Sequence, residues 1–171
     1  RCPPHTLGDR QEVCARRPVE VPTAYPVVMA SNIIGCPSCG TRNRLPVAAS
    51  GHPRCPKCKA DLPWLVDAWD DTFDSAVDAK PLVVVDLWAP WCGPSRMLAP
   101  VLETLSRELA GRIKVVKVNV DESPRTAQRY KAQSIPMLLL MDRGEVVDTI
   151  IGAQPAPILR SRINGALERR A

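Results

Sequence analysis

The fold of this chain is decided by residues 82–95, which read Leu82-Val83-Val84-Val85-Asp86-Leu87-Trp88-Ala89-Pro90-Trp91-Cys92-Gly93-Pro94-Ser95. The first part is short and apolar apart from Asp86, which is typical of a buried strand. After the turn, apolar residues recur at helical spacing at Met97, Leu98, Val101, Leu102, Leu105 and Leu109. Cys92 is therefore expected on a strand-to-helix turn, where the unpaired N–H groups and the dipole of a helix N-terminus favour a thiolate.

The turn has one thiol where the reduction of a disulfide uses two. One thiol attacks the disulfide, and a second releases the mixed disulfide that results. Cys92 can attack, but Ser95 stands in the place of the second thiol, and a hydroxyl cannot form an S–S bond. We therefore expect mixed disulfides at Cys92 to persist, with Ser95 able to donate a hydrogen bond to the thiolate. The alternative is a buried cysteine that only packs.

The turn and three later segments resemble the thioredoxin family, from about Trp64 to the C-terminus. The later segments are Lys117-Val118-Asn119-Val120-Asp121, Ser134-Ile135-Pro136, and Gly144-Glu145-Val146-Val147 with Gly152. The resemblance implies the thioredoxin fold, an α/β architecture with helices flanking a mixed central sheet. It also implies a protein-disulfide reductase, an oxidoreductase of electron transport and cell redox homeostasis. Its substrates would be disulfide-containing proteins, held as a mixed-disulfide complex through Cys92, and its electron donor would be a thioredoxin reductase.

The resemblance assigns catalytic roles to four positions. Cys92 is the nucleophile, and Ser95 occupies the position of the resolving cysteine. Asp86 matches the buried proton acceptor of the family, with Lys117 as its charge partner. Burial of a carboxylate in an apolar strand also predicts a raised pKa for Asp86. Asp86 either retains the family role or is simply a satisfied buried acid.

The resemblance also implies a surface that binds extended peptides. It would consist of Trp91, Gly93, Pro94, Ile135 and Pro136. In the family, the peptide bond before this proline is cis and faces the reactive cysteine. A trans proline that opens the following strand is the alternative interpretation of Pro136.

A second motif lies upstream, where Cys36-Pro37-Ser38-Cys39 is followed after fifteen residues by Cys55-Pro56-Lys57-Cys58. Two such knuckles present four thiolates to one metal, which is typical of a tetrahedral zinc site. Four protein ligands leave no open position for a substrate, so we expect structural zinc in a ribbon too small to fold unaided. Disulfides or a second redox pair are the alternatives. A zinc ribbon before a thioredoxin domain resembles the zinc-ribbon bacterial thioredoxins, the thioredoxin 2 type, with Ser95 as the departure.

The net charge of +5 is localised. Residues 1–61 carry nine Lys/Arg against four Asp/Glu, whereas residues 62–171 carry fourteen of each. The ribbon has no aromatic residues for base stacking and a four-thiolate zinc centre is itself negative, so we expect no nucleic-acid binding. No segment has the ~20 apolar residues of a membrane span or the apolar core of a signal peptide. We expect a cytoplasmic protein without membrane contact, which also suits unpaired thiols.

Composition divides the chain into an irregular tail (1–28), the ribbon (29–62) and the thioredoxin domain (63–171). The tail contains five prolines and no periodicity. Its Cys2 and Cys14 could fold back on Cys92, but nothing in the sequence directs them there. In the main domain, the pattern predicts helices over 68–79, 95–110, 124–131 and 156–169, and strands over 64–66, 82–88, 113–120, 137–141 and 146–151.

Two classes of function follow from these observations. The first is a thioredoxin-type protein-disulfide reductase in a single-cysteine form that stalls at the mixed disulfide. The second is a natural monothiol protein, resolved by a small thiol, or a non-catalytic, chaperone-like module that binds peptides. A dithiol parent whose resolving cysteine was replaced would favour the first class, and a natural Ser95 would favour the second.

Overall fold

The structure, a computed structural model, describes residues 32–49 and 51–170. The predicted tail and its two cysteines lie outside the described residues. A two-stranded antiparallel hairpin begins the described part, formed by β1 (Ile33–Gly35) and β2 (Arg42–Arg44). The remaining elements are β3 (Leu65–Asp67), α1 (Phe73–Val77), β4 (Leu82–Trp88), α2 (Gly93–Glu108), β5 (Ile113–Asn119), α3 (Pro124–Arg129), β6 (Met137–Asp142), β7 (Glu145–Ile151) and α4 (Ala156–Glu168).

The central sheet has the strand order β3-β5-β4-β6-β7. Strands β3, β5 and β4 run parallel, whereas β6 and β7 are antiparallel additions on the other side of β4. The parallel connections pass through helices, as parallel pairing requires, and β6 and β7 form a hairpin. The predicted architecture is confirmed: a mixed central sheet is flanked by helices.

Alternation along the buried strands creates two cores, one on each face of the sheet. Helices α2 and α4 cover the face that includes Val84 of β4, through Leu102 and Ile163 among others. Helix α1 and the N-terminal hairpin region cover the face that includes Val85. Because successive side chains point to opposite faces, a strand buried on both sides has no polar alternation, which explains the continuous apolar run of β4.

The first predicted helix is shorter than expected. The pattern predicts a helix over 68–79 that an acidic cluster opens, but α1 spans only Phe73–Val77. Asp70 does not cap α1. Its carboxylate accepts hydrogen bonds from the backbone N–H of Thr126 at 2.8 Å and from that residue's hydroxyl at 2.7 Å. The Thr126 side chain therefore ties the start of α3 to the segment before α1, a long-range contact that local propensity does not encode. The boundaries of the other predicted elements agree with the structure to within two residues.

The hairpin region packs on the main sheet through a buried lysine. Lys114 of β5 is fully buried, and its ammonium group donates hydrogen bonds to the carbonyls of Val47 and Ala76. It also lies 4.3 Å from the ring centroid of Trp64, whose indole N–H donates to Pro46 at 2.8 Å. Burial lowers the pKa of Lys114 to about 8, against the opposing attraction of Asp78.

Within residues 32–49 and 51–170, no helix is both long enough and apolar enough to cross a membrane.

Candidate functional site

Cys92 occupies the N-cap of α2, four residues after the last residue of β4. Its backbone N–H donates to Ala89 at 3.1 Å and its carbonyl accepts from Arg96 at 3.2 Å, which fixes the turn. Pro94 follows within the first turn, where a missing N–H costs nothing because those donors have no partner inside the helix. Cys92 is 8% exposed, so only a small part of the residue is in contact with solvent.

The peptide bond between Ile135 and Pro136 is cis, as the resemblance implies. The Ile135 carbonyl faces the Cys92 thiol, and the Sγ of Cys92 lies 3.6 Å from its oxygen. Pro136 is buried and Ile135 is half-buried. The structure thus brings Cys92 and the Ile135–Pro136 pair together, two segments that are 43 positions apart in sequence.

Ser95 lies in the first turn of α2, below the reactive cysteine, and is 2% exposed. Among the described residues, its hydroxyl has no hydrogen-bond partner. The hydrogen bond from Ser95 to Cys92 that the sequence suggests is therefore not formed. A second sulfur at this position would be buried within α2, whereas Ser95 leaves an oxygen that cannot exchange with a disulfide.

Asp86 lies in the middle of β4 and is 1% exposed. Neither carboxylate oxygen has a hydrogen-bond partner in the described part of the chain. Burial raises the pKa of Asp86 to about 7, and the positive charge of Lys117, its register partner on β5, opposes that rise. The carboxyl group of Asp86 is thus near the midpoint of its titration at neutral pH, where it can take up or release a proton.

Lys117 belongs to a cavity that the sequence did not reveal. Its ammonium group lies 4.4 Å from the ring centroid of Trp88. A cavity of about 380 Å³ opens here, beside the loop that carries Cys92. Trp69 and Glu122 line it and are joined by a hydrogen bond of 3.3 Å. The aromatic and acidic residues of this cavity come from three separate segments, so no local pattern signals it.

The exposed surface around the thiol is apolar. Trp91 is 69% exposed, and its indole N–H donates to Asp121 at 2.9 Å, which holds the ring beside the turn. Gly93 leaves open space above it, because a Cβ added there would meet no atom within 4 Å. Met97 is 74% exposed. Met97 was predicted to lie in the apolar stripe of α2 together with Leu98, but of the two only Leu98 is buried.

The four upstream cysteines form one cluster. All four Sγ atoms lie within 4.8 Å of one another, with 3.5 Å between Cys36 and Cys58 and 3.6 Å between Cys39 and Cys55. A disulfide requires about 2.05 Å, so these are separate thiols. In a tetrahedral site with Zn–S bonds of about 2.3 Å, sulfurs are about 3.8 Å apart, and the cluster is close to that spacing. The chemistry and geometry of the donor set therefore fit a metal ion such as zinc.

The two knuckles have matching backbone geometry. In each, the carbonyl of the first cysteine accepts from the N–H four residues on, Gly40 in one and Lys59 in the other. Hydrogen bonds from the Thr41 side chain and backbone lower the pKa of Cys39 to about 6. A thiolate is the form that a metal binds.

Comparison with known proteins identifies relatives of the main domain. The thioredoxin family model matches residues 65–165. The chain is 46% identical to the thioredoxin of Bacillus subtilis over 100 residues, which are 58% of this chain and 95% of that protein. It is 46% identical to the thioredoxin of Synechocystis over 90 residues, 53% of this chain and 84% of that protein. It is 45% identical to the chloroplastic thioredoxin M-type of Pisum sativum over 96 residues, 56% of this chain and 54% of that protein.

Proposed function

This chain belongs to the thioredoxin family, and we propose that it acts on protein disulfides through Cys92 alone, as a single-thiol form of a protein-disulfide reductase. Its thioredoxin relatives support a redox function of the thioredoxin type. One observation carries the finer proposal. Cys92 lies at the N-terminus of α2 and faces the Ile135 carbonyl, while the position below it is the buried hydroxyl of Ser95.

The first step uses only Cys92 and the substrate disulfide. The Cys92 thiolate attacks one sulfur, a new S–S bond forms to Cys92, and the other substrate sulfur leaves as a thiolate. No electrons enter or leave the pair, because one disulfide is exchanged for another. The unpaired N–H groups at the start of α2 favour the thiolate, which makes Cys92 the attacking group.

The second step requires a thiol from outside the described residues. In a dithiol protein, the resolving sulfur attacks Cys92 and is itself oxidised, while the substrate leaves fully reduced. Ser95 has no sulfur that could be oxidised in this step, so the mixed disulfide persists until an external small thiol attacks it. That thiol releases either Cys92 or the substrate sulfur, and a second equivalent completes the reduction. A thioredoxin reductase is the expected donor for a dithiol form of this domain.

In this proposal the substrate segment binds to the surface around the thiol, which consists of Trp91, Gly93, Pro94, Ile135 and Pro136. The 69% exposed Trp91 offers apolar contact area beside the thiol. The same surface supports the second candidate, a peptide-binding, chaperone-like module without catalysis. The nearly complete burial of Cys92 would favour that candidate if the thiol failed to exchange with any protein disulfide.

We assign Asp86 and Lys117 to proton handling at this site. With a pKa of about 7, Asp86 can accept or release a proton near neutral pH. In a dithiol form it would accept the proton of the resolving thiol. With Ser95 in place there is no thiol to serve, so we expect Asp86 to influence stability more than exchange in this chain.

We also propose that Cys36, Cys39, Cys55 and Cys58 hold one structural zinc ion. The near-tetrahedral sulfur spacing supports this, and four protein ligands leave no position for a substrate. A zinc ribbon (29–62) before a thioredoxin domain (63–171) is the thioredoxin 2 type of organisation. Four separate thiols suit a reducing compartment, so the cytoplasm is the proposed location.

Single-turnover exchange tests the function. The protein is reduced, the small-molecule reductant is removed, and the protein is then mixed with a model protein disulfide. The masses of the products are measured by mass spectrometry. We expect the present chain to form a one-to-one mixed disulfide at Cys92, and Ser95→Cys to release reduced substrate while forming an internal disulfide. Ser106→Cys is the control, because Ser106 is equally buried on α2 but remote from Cys92. If neither the parent nor Ser95→Cys reacts, the redox proposal fails and the binding module takes its place.

A further inference from the structure

A second cavity lies at the end of the sheet opposite Cys92. It has a volume of about 290 Å³, and its lining includes His52, Lys80, Gly111, Arg112, Leu167 and Arg170. Lys80 and Arg112 lie just before the starts of β4 and β5, whereas Cys92 follows the other end of β4. This cavity therefore belongs to no part of the thiol site. It is assembled from the ribbon, two loops and the C-terminal end of α4.

The charges of this cavity are mainly positive. Arg170 forms an ion pair of 2.8 Å with Asp142 and donates to the carbonyl of Lys80 at 2.6 Å, which fixes the guanidinium at the wall. Neither Lys80 nor Arg112 forms an ion pair within residues 32–49 and 51–170. Two cations thus line one concave space with no carboxylate assigned to them.

The nearest acidic side chain on the ribbon is already engaged. Asp61 accepts a hydrogen bond from Arg54 at 3.0 Å, and the same carboxylate oxygen lies 3.0 Å from Nε2 of His52. Its carboxylate also approaches Gly111, where an added Cβ would lie 3.0 Å from one oxygen. Asp61 therefore neutralises Arg54 and positions His52 at the cavity. It leaves the charges of Lys80 and Arg112 uncompensated.

We propose that this cavity binds a small phosphate-bearing anion. Guanidinium groups match phosphate oxygens in pairs, and an ammonium group adds a point charge, so the uncompensated Arg112 and Lys80 around one space are suited to this chemistry. The volume exceeds that of a single phosphate group and is near the lower limit for small-molecule pockets, which fits a diphosphate or a phosphate ester.

Binding would connect the two parts of the molecule. His52 comes from the ribbon, whereas Lys80, Arg112 and Arg170 come from the main domain. An anion held by both parts stabilises their packing, because a ligand that binds only the folded arrangement shifts the equilibrium towards it. The thiol lies at the far end of β4, so the anion would act without contacting the exchange reaction.

The test is a titration of the full, zinc-loaded chain with sodium pyrophosphate, monitored by nuclear magnetic resonance and by calorimetry. The salt concentration is 150 mM, which is about physiological ionic strength. We expect saturable one-to-one binding, with shifts at His52 and Arg112. Arg112→Gln should weaken binding by about tenfold or more, as expected for the loss of one charge-assisted contact. Lys80→Gln should act in the same direction. Arg44→Gln on β2 removes the same charge from an exposed site elsewhere and should bind as the parent does.

Parallel titrations with inorganic phosphate and adenosine 5′-monophosphate distinguish a bare anion from a phosphate ester. The proposal is overturned if pyrophosphate fails to saturate by about 10 mM, or if Arg44→Gln loses as much affinity as Arg112→Gln. Tighter, Arg112-dependent binding of a single-stranded oligonucleotide would also overturn the small-anion assignment. Single-turnover exchange at Cys92 should be the same in every variant, which separates this result from the proposed redox function.

Discussion

Replacement of Asp86 by asparagine should make the protein more stable at alkaline pH. The carboxyl group has an ordinary pKa of 3.8 in the unfolded chain, and burial raises its pKa to about 7 in the folded protein. Between these values the folded state binds more protons than the unfolded state. The free energy of unfolding therefore falls as the pH rises through this window, and the full loss is reached above about pH 7.

The magnitude follows from the size of the pKa difference. A difference of about three pH units at about 1.4 kcal/mol each corresponds to a destabilisation of about 4 kcal/mol at high pH. Between pH 5 and pH 8.5, the parent should lose about 3 kcal/mol through Asp86 alone. Asp86→Asn carries no charge and should not show this loss. Its buried amide costs about 1–3 kcal/mol at all pH values, so the variant gains on the parent as pH rises.

Urea denaturation at a series of pH values between 5 and 8.5, followed by tryptophan fluorescence, measures this difference. Metal binding and other groups titrate in both proteins, so their contributions cancel in the comparison. Asp148→Asn is the control, because hydrogen bonding to Arg162 lowers the pKa of Asp148 and keeps it charged throughout this pH range, so the variant should be less stable than the parent by the same amount at every pH. Parallel pH profiles for the parent and Asp86→Asn would refute the assignment of Asp86 as a buried acid with a raised pKa.

Three further predictions concern the ribbon and its contact with the sheet. Lys114→Met should lower the free energy of unfolding by about 1–3 kcal/mol, because two buried carbonyls lose their hydrogen-bond donor. It should also increase proteolysis of the ribbon. Unchanged stability in urea would contradict this prediction. The parent should contain one zinc ion per chain and Cys55→Ser should contain none, as measured by metal analysis after gel filtration; a parent without zinc would refute the assignment. Gly111→Ala should be more destabilising than Gly144→Ala in thermal unfolding. Both glycines have positive φ, with a cost of about 1–2 kcal/mol for alanine, but only at Gly111 does the added Cβ meet Asp61.

The reactive turn was predictable because its determinants are local. An apolar strand, a proline in the first turn of the next helix and a helical stripe place Cys92 at the N-cap without reference to the rest of the chain. The burial of Asp86 was predictable for the same reason, since it interrupts a strand that is apolar on both faces. The spacing of the four cysteines likewise predicted a cluster, and the structure brings their sulfurs together.

The features that sequence did not reveal depend on contacts between distant segments. Nothing in the strand pattern over 113–120 marks Lys114 as buried, and its burial follows only once the ribbon covers it. Asp70 belongs to the acidic cluster that suits the start of the helix predicted over 68–79, yet it bonds to Thr126, 56 positions later. Met97 and Leu98 are neighbours in an apolar run, and only the packing of α2 on the sheet decides which is buried. Each outcome is set by packing that local propensity does not determine.

The ribbon and the sheet share one apolar core, and this has a consequence for how the sequence can vary. Trp64 contacts the ribbon through Pro46 and lies against Lys114 of the sheet. A change in the volume of either side chain must be accommodated by both parts at once. We therefore expect their substitutions among relatives to be correlated, with Trp64 and Lys114 retained or exchanged together wherever a ribbon is present, and free to diverge in relatives that lack one.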